Sequence, residues 1–276
     1  MRRIKFLIVI LFSVQINGQN LKIMSYNIRV DLTVDGDNAW NHRKDFFASQ
    51  IQFYGPDVFG IQEAAPNQVS DIAERLSQYS FVGIAREGVG KGESSNIFHK
   101  KERLKMLLNN TFWLSETPSE ISLGWDAAYK RVCTYVLFKD VKTNQLFWVF
   151  NTHLDHLGAQ AKINGIKLIL AKIKEVNNKN YPVICTGDLN SEPQSEGIFL
   201  LKKEMKDTRA ISKILPFGPS GTFNGFKHNE PVTRLLDYIF ISKDAGFKVE
   251  KFAVLSDSKD LRYPSDHFPV YVELSY

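Results

Sequence analysis

From Leu21 onward, short apolar runs rich in β-branched and aromatic residues alternate with stretches whose apolar residues recur at every third or fourth position. The runs predict strands at LKIMSYNI (21–28), DVFGIQE (57–63), SFVGIA (80–85), SNIFH (95–99), RVCTYVLF (131–138), LFWVFNTHL (146–154), PVICTGDL (182–189), YIFIS (238–242) and PVYVEL (269–274). The second pattern predicts helices over 41–54, 67–78 and 159–176, the second opened near Pro66 or Asn67 and the third preceded by Gly158. Two connections carry neither pattern. REGVGKGESS (86–95) is glycine-rich and reads as a mobile loop, and FGPSGTFNGFKHNEP (217–231) combines turn chemistry with exposed aromatics that can shape access to a site. No linker, repeat or low-complexity tract interrupts 20–276, which reads as one domain.

Polar residues punctuate the strands in one consistent way. Asn27, Glu63, His153 and Asp188 follow their apolar runs, whereas Asp237, Asp266 and His267 precede theirs. If all seven converge, the last two strands run opposite to the first four, and the sheet is mixed. Strands that are apolar at most positions must be covered on both faces. Strands facing each other across a core, with helices outside, satisfy both demands; a doubly wound parallel sheet does not.

Each motif has its own chemistry. Asn27 alone is a turn-forming residue. Glu63, in GIQEA, closes a buried strand, where a carboxylate is paired, binds metal or caps the next helix. In NTHLDH (151–156), His153 and Asp155 point the same way if the strand continues. With His156 they offer a zinc set, although the histidine a di-zinc hydrolase signature needs at position 151 is Asn151. GDLN (187–190) turns at Gly187 and presents Asp188, able to take a proton from water, beside Asn190, able to donate to a phosphate oxygen. SDHFPV (265–270) places Asp266 and His267 in one site if they fall in a turn. Asp237, in LLDYIF, can then hold the His267 ring in one tautomer and favour its charged form.

Composition changes this picture little, being that of an ordinary globular chain: 43% hydrophobic, 24% charged and 12% aromatic over 276 residues. The N-terminus changes it more. Arg2, Arg3 and Lys5 precede an apolar run from Phe6 to Val14, and Gly18 stands before a plausible cut, which predicts a signal peptide over 1–19 and a periplasmic or extracellular protein. The formal charge of +5 includes those three cations and no acid from that segment, leaving +2 on the rest. Global charge therefore says little about nucleic acid; Lys100, Lys101, Arg103 and Lys105 are one candidate for a local basic rim, with a solvated surface segment the favoured reading. Cys133 and Cys185 sit in apolar runs and read as free core residues rather than a disulfide or a nucleophile.

The motifs SYNIR, IQEA, NTHLDH, GDLNSEP, LLDYIF and SDHFPV, in that order over nearly all of 21–276, resemble those of the endonuclease/exonuclease/phosphatase superfamily, whose members resemble deoxyribonuclease I. WNHRKDFF, TFWLSETP and GWDAAYKRVCTY suggest a bacterial exported branch with some likeness to deadenylase-type members. The resemblance implies a four-layered α/β sandwich, two packed mixed β-sheets flanked by helices. It implies Mg²⁺, with Mn²⁺ as a substitute, at Asn27 and Glu63, with Glu63 the chief ligand and Asp266 assisting. Asp188 matches the residue that orients or deprotonates the attacking water, and Asn190 its phosphate-binding companion. His267 matches the phosphate-contacting histidine with Asp237 as its partner, His153 a second histidine of deoxyribonuclease-like members, and Arg131 a phosphate-contacting basic position. Oxygen ligands without sulfur fit the same hard cations.

A phosphodiesterase or nuclease is the leading expectation, acting on nucleic acid or a smaller diester. A phosphomonoesterase, or a lipid phosphodiesterase taking inositol phosphate or sphingomyelin-type substrates, is the second. Phe223, Asn224 and Phe226 in the 217–231 loop are candidates for substrate contact, the aromatic rings by stacking on bases or other flat groups. A non-catalytic binding module would be expected to lose Glu63, Asp188 or His267, and all three are present. The chain is expected to be monomeric, without stable membrane insertion after cleavage.

Overall fold

The computed structural model describes residues 20–244 and 246–276; the expected signal segment lies outside them. Strands β1 (Leu21–Asn27), β2 (Val58–Gln62), β3 (Tyr79–Val82) and β4 (Ile97–Lys100) join β11 (Lys248–Val254) and β12 (Val270–Ser275) in one sheet, ordered β11-β12-β1-β2-β4-β3. Strands β5 (Leu104–Trp113), β6 (Val132–Asp140), β7 (Leu146–His153), β8 (Val183–Asp188), β9 (Met205–Asp207) and β10 (Asp237–Ser242) form the other, ordered β5-β6-β7-β8-β10-β9. Both sheets are mixed. β1 runs parallel to β2 and β7 to β8, while β12 and β10 are antiparallel to β1 and β8. This is the direction reversal that the strand-end residues require.

The sheets pack face to face over an apolar core that includes Ile23, Val58, Val149, Ile184 and Val272. Outside the first sheet, helices α1 (Trp40–Tyr54) and α2 (Pro66–Arg75) cover Met24, Tyr26 and Phe59 with Phe47, Ile51 and Ile72. Outside the second, α3 (Ala159–Val176) and α4 (Glu196–Glu204) cover Phe150, Cys185 and Phe240 with Ile166, Ile169 and Ile198. Four layers result. Cys133 and Cys185 are free and buried in the second outer layer, as their apolar runs predict. Among the described residues no helix is long and apolar enough to cross a membrane.

One polar layer interrupts the inner core. Asn151 of β7 donates to the carbonyls of Ile61 (2.9 Å) and Asn96 (3.0 Å), and its carboxamide oxygen accepts from Gln62 (2.8 Å) and Thr186 (3.0 Å). All four bonding positions of the amide are used, and three of the bonds cross from sheet to sheet. Gly60 makes room for it, since a methyl there would run into the Asn151 carboxamide.

Three sequence expectations change. Lys100 and Arg103 are not a binding rim: they pair with Asp57 (3.2 and 2.9 Å), and Arg103 also with Asp140 (3.1 Å). Because β4 runs antiparallel to β2, this cluster lies at the Asp57 end of the sandwich, away from Glu63. The 86–95 segment is a stapled loop rather than a loose one. Arg86 forks onto Glu93 (3.0 and 2.8 Å), its backbone N–H meets the Glu93 carbonyl, and Glu87 pairs with Lys130 (2.6 Å). Strands β5, β9 and β11 and helix α4 also join the predicted set. β5 is an edge strand exposed from Lys105 to Asn110, so it has no alternating pattern, and a bulge between Val249 and Lys251 breaks that of β11.

Gly60→Ala should cost about 1–3 kcal/mol through overpacking against Asn151 and Thr186, read as a lower urea midpoint with an unchanged slope. A second expectation concerns His99, buried against Phe138 with its pKa pushed down to about 4 by burial. The unfolded chain binds that proton below about 6.5 and the folded one does not, so stability should fall as pH drops from 6.5 towards 4, by up to ~3 kcal/mol. Urea titrations across that range should show this component, and His99→Leu should lack it.

Candidate functional site

The site stands where the strands of both sheets end. β1 delivers Asn27, β2 Glu63, β7 His153 and β8 Asp188; β10 begins with Asp237, and the chain entering β12 carries Asp266 and His267. Glu63, Arg131, His153, Asp188, Asn190, Phe223, Asp266 and His267 line one cavity of about 730 Å³. Asn27 and Asp237 lie just beneath that lining, each hydrogen-bonded to a residue that belongs to it.

Glu63 has a left-handed backbone (φ 62°), which turns its carboxylate back over the end of the strand. One oxygen accepts from Asn27 Nδ2 (2.9 Å) and the other from the backbone N–H of Val30 (3.1 Å). Burial alone would raise its pKa, but the Asn27 bond and the His267 charge bring it below the ordinary value. Asn27 also donates to Asp188 Oδ2 (2.9 Å), while its own oxygen accepts the Arg29 N–H (3.0 Å). Asn27 thus turns its nitrogen, not its oxygen, toward the carboxylates and bridges the two sheets.

Asp188 is the most crowded carboxyl. Oδ1 accepts the Asn190 N–H (2.8 Å), and Oδ2 lies 3.5 Å from His153 Nε2 and 3.9 Å from His267 Nε2. Burial, with the charge of Asp237 on the neighbouring strand, pushes its pKa up to about 7. Gly187 is needed on two counts: its φ is positive (156°), and a methyl there would run into the Thr152 carbonyl of β7. His267 Nδ1 meets Asp237 Oδ2 at 2.8 Å. Burial would lower the ring's pKa, but Asp237 wins and raises it well above normal, so the ring is charged and its Nε2–H faces the cavity.

His153 is the opposite case. Burial and Arg131 hold its pKa well below the usual range, so the ring is neutral. Arg131 Nη1 lies 2.9 Å from His153 Nδ1, and a guanidinium can only donate, so Nδ1 accepts and the ring proton stands on Nε2. That nitrogen points at Asp188 Oδ2 (3.5 Å); Asn190 Nδ2, 3.0 Å away, is itself a donor, bonded to the Leu154 carbonyl, and accepts nothing from the ring. Asp155 does not enter the cavity: its oxygens accept the backbone N–H groups of Ala128, Tyr129, Leu157 and Gly158, which lower its pKa to about 2 against the cost of burial. It is committed to holding loops, which removes the zinc set from consideration.

Two loop expectations divide. Phe223 lines the cavity edge-on to His267, 5.1 Å between ring centres. Asn224 is corrected out of substrate contact: its side chain donates to Ser265 O (3.1 Å) and accepts from Phe226 N–H (2.8 Å), so it braces the turn beneath Asp266. Phe226 lies over Arg43 (5.4 Å) rather than in the cavity.

Arg43 itself escaped the sequence reading. It is buried in α1 and donates to the carbonyls of Ile28, Arg29, Asn38 and Pro264, tying the end of β1 to the segment that carries Asp266 and His267. Its spacing from Trp40, Phe47 and Ile51 puts it on the apolar face of α1, a signal the sequence does contain. Gln68 has a similar role, holding Asp31 N–H, Ala65 N–H and the Arg29 carbonyl.

Can the site hold a metal? Ligand atoms of Glu63, His153 and Asp188 lie within 4.8 Å of one another, as do those of Asp188, Asp237 and His267. The second set is already closed by the Asp237–His267 bond. Asp237 Oδ1 is buried without a partner, and Glu63, Asp188 and Asp266 are three buried or half-buried carboxyls on one cavity. Such oxygens, with no thiol among them, suit a hard cation at Glu63.

A profile described as the Endonuclease/Exonuclease/phosphatase family matches residues 24–267. Among solved structures, a family protein from Bacteroides thetaiotaomicron is 34% identical with a TM-score of 0.89, over 94% of this chain and 98% of that one. A mannosyl-6-phosphatase of the same species is 36% identical with a TM-score of 0.87, over 93% and 100%. RNA exonuclease NGL1 of Saccharomyces cerevisiae is 22% identical over 237 residues, 72% of this chain and 64% of that protein. The chain spans less than two thirds of the length of the curated relatives it matches.

Arg43→Met would leave four buried or half-buried carbonyls without their donor, so it should cost about 3 kcal/mol or more. Thermal unfolding checks this, and Arg43→Lys should recover only part of it.

Proposed function

The chain belongs to the Endonuclease/Exonuclease/phosphatase family, a family of phosphoester hydrolases, and from that premise we propose that it is an exported, divalent-cation-dependent phosphomonoesterase acting on a small hydroxyl-bearing substrate. The observation that carries the chemistry is the convergence of Glu63, Asp188 and the Asp237–His267 pair in one cavity. Glu63, with Asp266 assisting, would hold Mg²⁺ or Mn²⁺, which would stabilise charge on the phosphoryl and leaving oxygens.

The chain's own residues do the rest. Asp188, with its proton affinity brought near neutrality, takes the proton of the attacking water. The charged His267 ring donates through Nε2 to a phosphoryl oxygen, held in place by Asp237. His153 donates from Nε2 as a neutral ring, and Asn190, fixed by its bond to the Leu154 carbonyl (3.0 Å), keeps that edge of the cavity polar. Among the described residues no Ser or Cys lines the cavity beside a base, and attack by water is direct.

Preference for a small monoester over nucleic acid rests on charge. A nucleic-acid groove needs a run of uncommitted cations. Here Arg29 pairs with Asp35 (2.9 Å), Arg86 with Glu93 (2.8 Å), Lys130 with Glu87 (2.6 Å) and Arg234 approaches Glu192 (3.6 Å), which leaves Arg131 and Lys162, two side chains on one wall, rather than a run. The likeness to a mannosyl-6-phosphatase over almost the full chain points the same way, toward a sugar phosphate.

Activity on p-nitrophenyl phosphate and hexose 6-phosphates should be lost in EDTA and restored by Mg²⁺ or Mn²⁺. Asp188→Asn and His267→Ala should each lower kcat by about 10²–10⁴-fold with unchanged far-ultraviolet circular dichroism. Full turnover in either variant, or activity surviving EDTA, defeats the mechanism. Turnover of bis-(p-nitrophenyl) phosphate or single-stranded RNA far above that of every monoester reverses the substrate assignment.

A further inference from the structure

The cavity has two unlike halves. One holds Glu63, Asp188 and Asp266; the other is a wall running from His153 outward through Arg131, His156 and Lys162, with Tyr129 and Arg86 beside it. The contacts are continuous. Arg131 Nη2 lies 3.4 Å from His156 Nδ1, Lys162 Nζ 3.5 Å from the His156 carbonyl, and the His156 ring stacks on Tyr129 (5.7 Å), over which the Arg86 guanidinium sits (4.8 Å).

This wall has more donors than acceptors. Arg131 is only 6% exposed, yet its hydrogen-bond partners are two imidazole rings, and its Nε–H has none. Asp155 is 3.5 Å from that Nε, but its oxygens are taken by four backbone N–H groups. The Nε–H of Arg86 is likewise buried without an acceptor, although its other nitrogens meet Glu93. Lys162 makes no ion pair among the described residues. The two Nε atoms are closed off from the cavity, so what faces an incoming anion is the charge of Arg131 behind its imidazole partners and the unpaired Lys162 ammonium beside His156.

We propose that the wall of Arg86, Arg131, His156 and Lys162 is an anion subsite, independent of the metal, that receives a second anionic group (phosphate or carboxylate) carried by the same substrate. Position supports "second". The scissile phosphate belongs beside Asp188, Asn190 and His267, whereas His156 and Lys162 lie beyond His153 and Arg131, on the outward side of the cavity. The preferred substrate is then a phosphomonoester bearing another acidic group, such as a sugar bisphosphate or a phosphorylated sugar acid. This substrate class rests on the phosphomonoesterase reading; the anion subsite itself does not.

Two measurements separate those layers. Inorganic phosphate titrated calorimetrically into EDTA-treated protein should bind, should still bind to Glu63→Gln, and should bind about tenfold more weakly to Lys162→Met. Phosphate binding that requires metal, or that ignores Lys162, removes the subsite. Arg86→Met tests the same wall but also cuts the Arg86–Glu93 staple, so Lys162→Met, at the rim and without an ion pair, decides. In the second measurement, kcat/KM for a hexose bisphosphate and a phosphorylated hexonic acid is divided by that for the hexose monophosphate. The ratio should exceed one in the native protein and fall toward one in Lys162→Met, the larger ratio telling phosphate from carboxylate. A native ratio at or below one for both overturns the second-anion assignment. Absence of hydrolysis of any ester would instead overturn the proposed function and leave the phosphate titration to stand or fall by itself.

Discussion

Everything at the site depends on how one sheet is registered against the other, and the Asn151 carboxamide is what sets that register. Apolar packing is non-directional, so two sheets joined by aliphatic side chains alone can slide with little penalty. Four hydrogen bonds on one amide, buried between Gln62, Thr186 and two backbone carbonyls, cannot be kept under a slide. The layer lies one or two residues below the catalytic end: Gln62 precedes Glu63, and Asn151 and Thr186 stand two residues before His153 and Asp188. Glu63 comes from one sheet and Asp188 from the other, and Asn27 reaches both only because that register holds.

Electrostatics then divides the labour. Two histidines a few ångströms from the same Asp188 oxygen reach opposite charge states: burial, seconded by a guanidinium, keeps His153 neutral, while a carboxylate overrides burial at His267. Each partner also fixes which nitrogen faces inward. The result is one charged donor and one neutral donor on either side of a carboxyl whose proton affinity is raised. Such separation needs burial, because in water the same neighbours would be screened to near insignificance.

Much of this is legible in the sequence, for a physical reason. Asn27, Glu63, His153 and Asp188 end buried apolar strands, where polar groups have no packing role, so their positions advertise function. Arg43 and Gln68 carry no such mark. They act on backbone carbonyls and amides, one of them more than two hundred residues away, and a pattern of side-chain types does not encode where a carbonyl will lie. Asn224 misleads for the converse reason, since its amide is spent within its own turn. The 86–95 loop misleads through its glycines, which suggest freedom, while the charges seven residues apart at Arg86 and Glu93 close it. β5 is hidden because an edge strand facing solvent has no core face to alternate with.

The sheet order has a consequence in time. β12 lies between β11 and β1, and Leu21 is paired with Leu274. The ribosome therefore makes β1 and waits through some two hundred and fifty residues before β1's antiparallel partner exists. Until then β1 is an open edge of the first sheet, and β11 has no partner in it. Contacts so distant in sequence form late and slowly. The first sheet can therefore be completed only when almost the whole chain has been made.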